Sequence, residues 1–301
     1  MFRLAHLTDL HATPIAGVRL PDLALKQLLG WLSWQVRRRH IHRPEILAGL
    51  VEDLHGEAPD HVVVTGDLTN VAHAGEFAAA RRWLERIGDA ALLSVVPGNH
   101  DAYVAAPFAA SWALWREYLA SDREGPDCAG SAVEFPTLRV RGPLALVGLN
   151  TATPTGPLLA TGQVGAEQLA RLEERLEELA GSGLSRVLLL HHPPTEGAVP
   201  RRALTDAGAV RAVLARAGAE LVLHGHAHRT LLGELPGPRG PIPVVGARSG
   251  TDAGRRPGRS AQYHLYRFEG PGDRPRIHLS IRAWDPASRR FQPGEARWLA
   301  S

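Results

Sequence analysis

The chain has one cysteine, one methionine and a single lysine, Lys26, among its 301 residues. Cys128 has no partner for an intrachain disulfide, so a disulfide-stapled scaffold is excluded and a reducing compartment suits the sequence. With no cysteine among the candidate ligands, a closed structural zinc site is disfavoured too. The most apolar stretch, around residues 20–36, is too short and too interrupted to span a bilayer, which needs about 20 consecutive apolar residues. Formal net charge is only +3, and the chain lacks the extended basic and aromatic track that single-strand binding requires, so no nucleic acid is expected. Phe2–Leu7 already reads as a first strand with Asp9 just beyond it, so no cleavable signal sequence is expected. The expected location is cytoplasmic. Internal repeats and long low-complexity tracts are also lacking.

What is present is one pattern used five times: a short apolar run that ends in potential metal ligands. The runs end at Asp9-Leu10-His11, at Gly66-Asp67, at Gly98-Asn99-His100-Asp101, at His191-His192 and at Gly225-His226-Ala227-His228. Alternate residues of an extended chain point the same way, so Asp9 with His11, and His226 with His228, can each face one cavity. Carboxylates and imidazoles together suit divalent first-row metals. Asp67 follows a glycine turn and has two oxygens, enough to bridge two ions. Two ions roughly 3.5–4 Å apart can clamp the attacking and leaving oxygens of a phosphoryl group.

The order D-x-H, G-D, G-N-H-D, H, G-H-x-H resembles the calcineurin-like metallophosphoesterase superfamily, and the resemblance spans Asp9 to His228. The G-N-H-D form with a separate Gly66-Asp67-Leu68-Thr69-Asn70 is most similar to class III cyclic nucleotide phosphodiesterases and their bacterial relatives. The resemblance implies a four-layer α/β/β/α sandwich of two packed mixed sheets, with a dimetal site at the strand ends. It implies that Asp9, His11, Asp67 and His228 hold one ion and Asp67, Asn99, His191 and His226 the other, the nucleophile being a metal-bound hydroxide. His191 is preferred over His192 only because the family uses the first histidine after the strand. His100 would contact the scissile phosphate, with Asp101 orienting its ring. Manganese, iron and zinc all suit these ligands.

Ligand candidates come from both halves, so one domain over 1–301 is expected, with a helical insertion at about 13–43. On a helical wheel Asp22, Lys26, Gly30, Ser33 and Arg37 form a narrow polar stripe and the rest of the surface is apolar. Two readings compete for this helix. It packs its wide apolar face on the body, or it forms a lid or interfacial helix, with Trp31 and Trp34 beside the basic cluster 37–43 at a membrane headgroup boundary. Residues 107–119 predict a second apolar helix with Phe108, Trp112, Trp115 and Leu119 on one face, either core or part of a hydrophobic cap.

Elsewhere helices are expected over about 44–55, 76–87, 166–180 and 206–217, and strands over 61–65, 132–149, 186–190 and 220–224. The alternating stretches 242–246, 262–268 and 276–284 predict antiparallel strands completing the second sheet. Arg201 and Arg202 are expected as solvated loop arginines, and the loop 255–259 as mobile. The functional expectation is a phosphodiesterase acting on 3′,5′-cyclic nucleotides or small phosphodiesters. The alternative is a pyrophosphatase or phosphodiesterase for a lipid-linked substrate under an apolar lid, with peripheral contact at the inner membrane face through residues 20–43.

Overall fold

The computed structural model describes residues 1–11, 13–15, 18–19, 23–122 and 132–299. Asp22, the first residue of the predicted polar stripe, and Cys128 lie outside the described residues.

Two six-stranded sheets form the centre of the molecule. In the first, β1 (Phe2–Leu7), β2 (His61–Thr65) and β3 (Leu93–Val96) run parallel. The meander β10 (Gln262–Glu269), β11 (Arg276–Asp285) and β12 (Arg290–Trp298) extends this sheet antiparallel from β1. In the second, β5 (Leu144–Gly148), β6 (Ser185–Leu189), β7 (Leu221–His224) and β9 (Gly240–Gly246) are parallel, and β4 (Thr137–Arg141) and β8 (Leu231–Gly237) close the two edges antiparallel.

The expectation that the strands after 241 all complete the second sheet is corrected here. Only β9 does so, while β10 to β12 return to the first. The pairing partner of β10 is β1, whose free edge takes Phe2 against Phe268 and His6 against His264. Alternation reveals a half-buried strand, not which sheet it joins.

The strands read as near-continuous apolar runs because they are covered on both faces. Leu4, Val63 and Val96 of the first sheet meet Leu146, Val187 and Leu223 of the second in a fully buried layer between the sheets. Outside the first sheet, α2 (Pro44–Glu57) and α3 (Ala74–Ile87) bury Leu47, Leu50, Phe77 and Leu84 against it. Outside the second, α5 (Ala166–Glu178) and α6 (Ala207–Ala217) bury Leu172, Leu176, Val210 and Leu214. Each such side chain contributes about 1.5–3 kcal/mol by leaving water. The result is the α/β/β/α sandwich, and the parallel strands of both sheets end on one side.

Two helical expectations change. Residues 107–119 form two 3-10 turns and a short α4 (Arg116–Leu119) in place of one helix. Trp115 is fully buried with its indole N–H on the Phe77 carbonyl at 2.9 Å, so it belongs to the core beside α3 and not to a cap. The helix α1 (Leu25–Val36) sits the opposite way round from a core helix. Of its polar stripe Lys26 and Gly30 face in, together with Gln27, while Ser33 and Arg37 are exposed: Lys26 reaches Thr155 Oγ1 at 2.8 Å, and Gln27 reaches the Val71 carbonyl at 3.1 Å. Gly30 lies so close to Val71 and Tyr103 that a Cβ there would stand 2.7 Å from a Val71 methyl. Leu25, Leu29, Leu32 and Val36 face out, with Leu25 67% and Val36 80% exposed. Polar partners on the body select the face, because Lys26 and Gln27 find hydrogen bonds there that an apolar face would leave unmade.

Candidate metal centre

Each site residue follows the end of a parallel strand, where the chain must turn sharply. Five of them take the left-handed conformation: Asp9 (φ 52°), His11 (43°), Asp67 (58°), His226 (66°) and His228 (50°). For residues other than glycine this conformation costs roughly 1 kcal/mol or more each, and such strain concentrates at functional sites. The loops interlock to sustain it. Asp9 N bonds the Gly66 carbonyl at 3.0 Å and His11 N the Asp67 carbonyl at 3.1 Å. Gly66 is obligatory by the same crowding, since a Cβ on it would meet Gly98 N at 2.5 Å.

The sequence-predicted residues Asp9, His11, Asp67 and His228 bring one ligand atom each within 4.8 Å of one another. His228 Nε2 stands 3.1 Å from Asp9 Oδ1, a buried oxygen without a hydrogen bond. His191, Asn99 and His226 form a second group, with His191 Nε2 3.1 Å and His226 Nδ1 2.8 Å from Asn99 Oδ1. Asp67 Oδ2 lies between the two groups, 3.5 Å from His11 Nε2 and 3.4 Å from His191 Nε2. His192 also offers a ring nitrogen near His191 and His226. Its Nδ1 is engaged with Thr151 Oγ1 at 2.8 Å.

The outer nitrogens fix the tautomers. His11 Nδ1 donates to the Thr69 carbonyl (2.8 Å), His191 Nδ1 to the Thr65 carbonyl (2.7 Å) and His226 Nε2 to the Arg202 carbonyl (3.0 Å). The inward nitrogens of these rings therefore carry lone pairs, the arrangement that metal-binding histidines adopt. With these rings neutral, lone pairs and carboxylate oxygens converge, and a cation satisfies them. The same attraction acts on protons. Burial opposes charging His191, yet the Asp67 carboxylate beside it outweighs burial and pushes the ring up to about 9. The donor set fits two divalent ions.

His100 and Asp101 separate. The His100 ring donates Nδ1–H to the Asn70 carbonyl, stacks on Tyr103 with centroids 5.3 Å apart, and receives Arg38 Nη1 on Nε2 at 3.0 Å. Burial, reinforced by Arg38, pushes it down to about 3, so it is neutral. The expectation that Asp101 orients this ring is corrected: the Asn70 carbonyl does so. Both Asp101 oxygens are taken by backbone N–H groups of Gly98, Asp67, Leu68 and Thr69 at 2.8 to 3.0 Å. Asp101 is the knot between the β2 and β3 loops. Glu76 does the same one loop further on, accepting from Asn70 N and Val71 N at 2.7 and 2.9 Å.

Sequence reasoning missed two residues of the segment after α1. Arg38 turns inward to His100 and places Nη2 3.3 Å from His11 Nε2. His42 is buried with its ring 4.6 Å from that of His11 and 5.6 Å from that of His228. Within the basic cluster 37–43 nothing distinguishes them by residue type; the irregular turn after α1 sets their direction. His224 and His6 sit apart from the ligand groups, with His224 on the Gly225 carbonyl and His6 on Thr65 Oγ1. The centre opens into a cleft of about 630 Å³ between α1 and the loops at 202 and 252–259.

A carboxylate and histidine cluster at the shared end of two packed mixed sheets defines a metal-dependent phosphoric ester hydrolase. Over residues 2–230 the sequence matches the calcineurin-like phosphoesterase family, and the chain belongs to it. It is 26% identical over 252 residues to a probable cyclic nucleotide phosphodiesterase of Rhodococcus erythropolis, covering 82% of this chain and 70% of that one. A second probable cyclic nucleotide phosphodiesterase, from Synechococcus, is 26% identical over 190 residues, covering 62% of this chain and 64% of that protein. Among solved structures, a dimetal phosphatase from Danio rerio superposes with a TM-score of 0.56 at 14% identity, covering 99% of this chain and 98% of the other. A purple acid phosphatase from yellow lupin gives 0.57 at 11%, covering 99% and 53%. Among the described residues, no helix is long and apolar enough to cross a membrane.

Proposed function

We propose that the protein is a dinuclear phosphodiesterase in which Asp9, His11, Asp67 and His228 hold one ion and Asp67, Asn99, His191 and His226 the other. The observation that carries this is the place of Asp67 Oδ2, at nearly equal distance from a ring nitrogen of each group. Two divalent ions there, manganese, iron or zinc, would activate water at neutral pH and polarise the phosphoryl oxygens. Asp101 and Glu76 keep the ligand loops in register. His100 faces the phosphoryl group. An anion against Nε2 raises the pKa of that ring, so it can hold a proton for the leaving oxygen.

The substrate favoured by the relatives' names is a 3′,5′-cyclic nucleotide or another small phosphodiester. Hydrolysis of cyclic AMP by manganese-reconstituted protein, with Asp67→Ala as blank, tests it. Turnover by the wild type alone supports the reading; equal rates in both proteins sink it.

A second reading is favoured by the outward apolar face of α1: an amphiphilic, lipid-linked phosphodiester or pyrophosphate met at the inner face of a membrane by a cytoplasmic enzyme. Ser33, Val36 and Arg37 line the cleft, so a bilayer meeting α1 would lie beside its mouth. Leu29→Ser with Leu32→Ser should then raise KM for a detergent-dispersed substrate and leave a soluble diester unaffected. Equal effects on both would remove the interfacial role.

A further inference from the structure

The His100 ring gives up one of its supports when a substrate arrives. Its Nδ1–H bonds the Asn70 carbonyl, and its Nε2 takes Arg38 Nη1 at 3.0 Å. In the reading above a phosphoryl group approaches Nε2, which leaves the bond to Asn70 to hold the ring. One hydrogen bond fixes an atom but not the tilt of the plane about it.

A neighbouring face fixes the tilt. The Tyr103 ring stacks on that of His100 with centroids 5.3 Å apart and planes within 12° of parallel, an offset pairing that aromatic rings prefer. Yet Tyr103 sits in the irregular chain just after Asp101, in no helix or strand, so its own ring needs a support.

Helix α1 supplies it. The ammonium of Lys26 lies 4.3 Å from the centre of the Tyr103 ring, a cation over an aromatic face. Thr155 steadies that ammonium: its hydroxyl donates to the Leu159 carbonyl at 2.9 Å, so its oxygen accepts from Lys26 Nζ at 2.8 Å. Burial pushes Lys26 down to about 8, which still leaves it charged at neutral pH. The chain's only lysine is used here, and its compact ammonium can meet a hydroxyl and a ring face at once. One turn on, the backbone of Gly30 lies against the same ring, where a Cβ would stand 2.9 Å from the Tyr103 oxygen. A second route runs from the same helix. Gln27 bonds the Val71 carbonyl, and Val71 follows Asn70, whose carbonyl holds His100 Nδ1. Both the stacked face and the bonded nitrogen of His100 are thus tied to α1.

We propose that Tyr103 and Lys26 are positioning residues for His100, and that α1 is in this way a working part of the centre whatever its outer face meets. The inference rests on the dinuclear phosphodiesterase reading, in which His100 faces the phosphoryl group, and adds to it the residues that aim the ring. They act through His100 alone. Lys26 holds Tyr103, and Tyr103 holds the imidazole plane so that Nε2 points at the phosphoryl oxygen.

The test is a double-mutant cycle on the manganese-loaded full chain, read first as binding of inorganic phosphate by titration calorimetry. Tyr103→Leu should weaken phosphate about five- to tenfold, the worth of one aromatic pair, but less than about twofold when His100 is already alanine. Tyr103→Phe keeps the face and should stay within about twofold of the wild type. Lys26→Met should weaken phosphate about threefold, again only with His100 present, and carries the test should Tyr103→Leu melt early. Metal content should be unchanged in all of them. The second readout is turnover of cyclic AMP, where Tyr103→Leu should lower kcat about tenfold and cost nothing further in the His100→Ala protein. Losses equal in both backgrounds, or accompanied by loss of metal, would reduce the two residues to packing and overturn the proposal. Wild-type affinity in both Tyr103→Leu and Lys26→Met would overturn it as well. Binding is read without turnover. Coupled losses in a protein that hydrolyses no diester would therefore contradict the phosphodiesterase reading and leave the positioning role standing.

Discussion

The ligand loops and the cleft wall are built in opposite ways. The loops after β1, β2, β3, β6 and β7 are buried, strained and bonded to one another across the whole sequence, as when Asp101 gathers four backbone N–H groups from two loops. The wall is made of long, largely exposed side chains on the turn after α1 and on the loops at 202 and 255–259. Over-determination fixes the chemistry, since misplacing a ligand by an ångström forfeits it. Loose, chargeable walls leave substrate choice free to vary on a constant centre.

The contrast is broken most severely at its shared atom. Asp67→Ala should lower kcat/KM by about 10³-fold or more, the scale of losing a principal electrostatic stabiliser, and elemental analysis should find less metal bound. An active variant with full metal content would mean that the bridge lies elsewhere. His100→Ala should cost about 10²-fold in kcat with metal content unchanged. Loss of metal from it would make His100 a ligand.

Asp101→Ala sharpens the division between chemistry and scaffold. It leaves buried N–H groups unpaired, at a cost of about 3 kcal/mol or more. Denaturant midpoints should fall for Asp101→Ala and stay near wild type for His100→Ala. An unshifted midpoint for Asp101→Ala would remove the knot from the explanation.

Acid provides a milder probe of the buried frame. Burial pushes His61 and His264 down to about 3 and His224 to about 4. Their unfolded forms take up protons near pH 6.5 while the folded forms do not. Stability is therefore fully present above about pH 6.5 and is lost as pH falls toward 4 and 3. Urea midpoints at pH 7 and pH 5 should show the decline; a flat profile would mean that these rings protonate in place.

The smallest effect is expected on the outer face of α1. Leu29→Ser with Leu32→Ser should move the midpoint by less than about 0.5 kcal/mol per substitution, because both side chains are already exposed.

What the sequence revealed follows the same division. Strand ends such as Val62–Asp67 were readable because apolar runs, glycine turns and ligand spacing are local properties. The orientation of α1 was not. Its amphipathic pattern separates two faces, and only Thr155 and Val71, more than 40 residues away, decide which one turns inward. Arg38 and His42 were hidden inside a run of basic residues, where type and spacing carry no direction. Asp101 was legible as important but not as a scaffold residue, since its partners are backbone groups that every residue possesses.

Electron paramagnetic resonance of the manganese-loaded protein, counted against metal content, bears on Asp67 as the shared ligand. Two ions about 3.5–4 Å apart joined through its carboxylate should give two manganese per chain and the multiline signal of an exchange-coupled pair. Asp67→Ala should abolish that signal. One ion per chain, or two with independent signals in the wild type, would contradict a bridged centre.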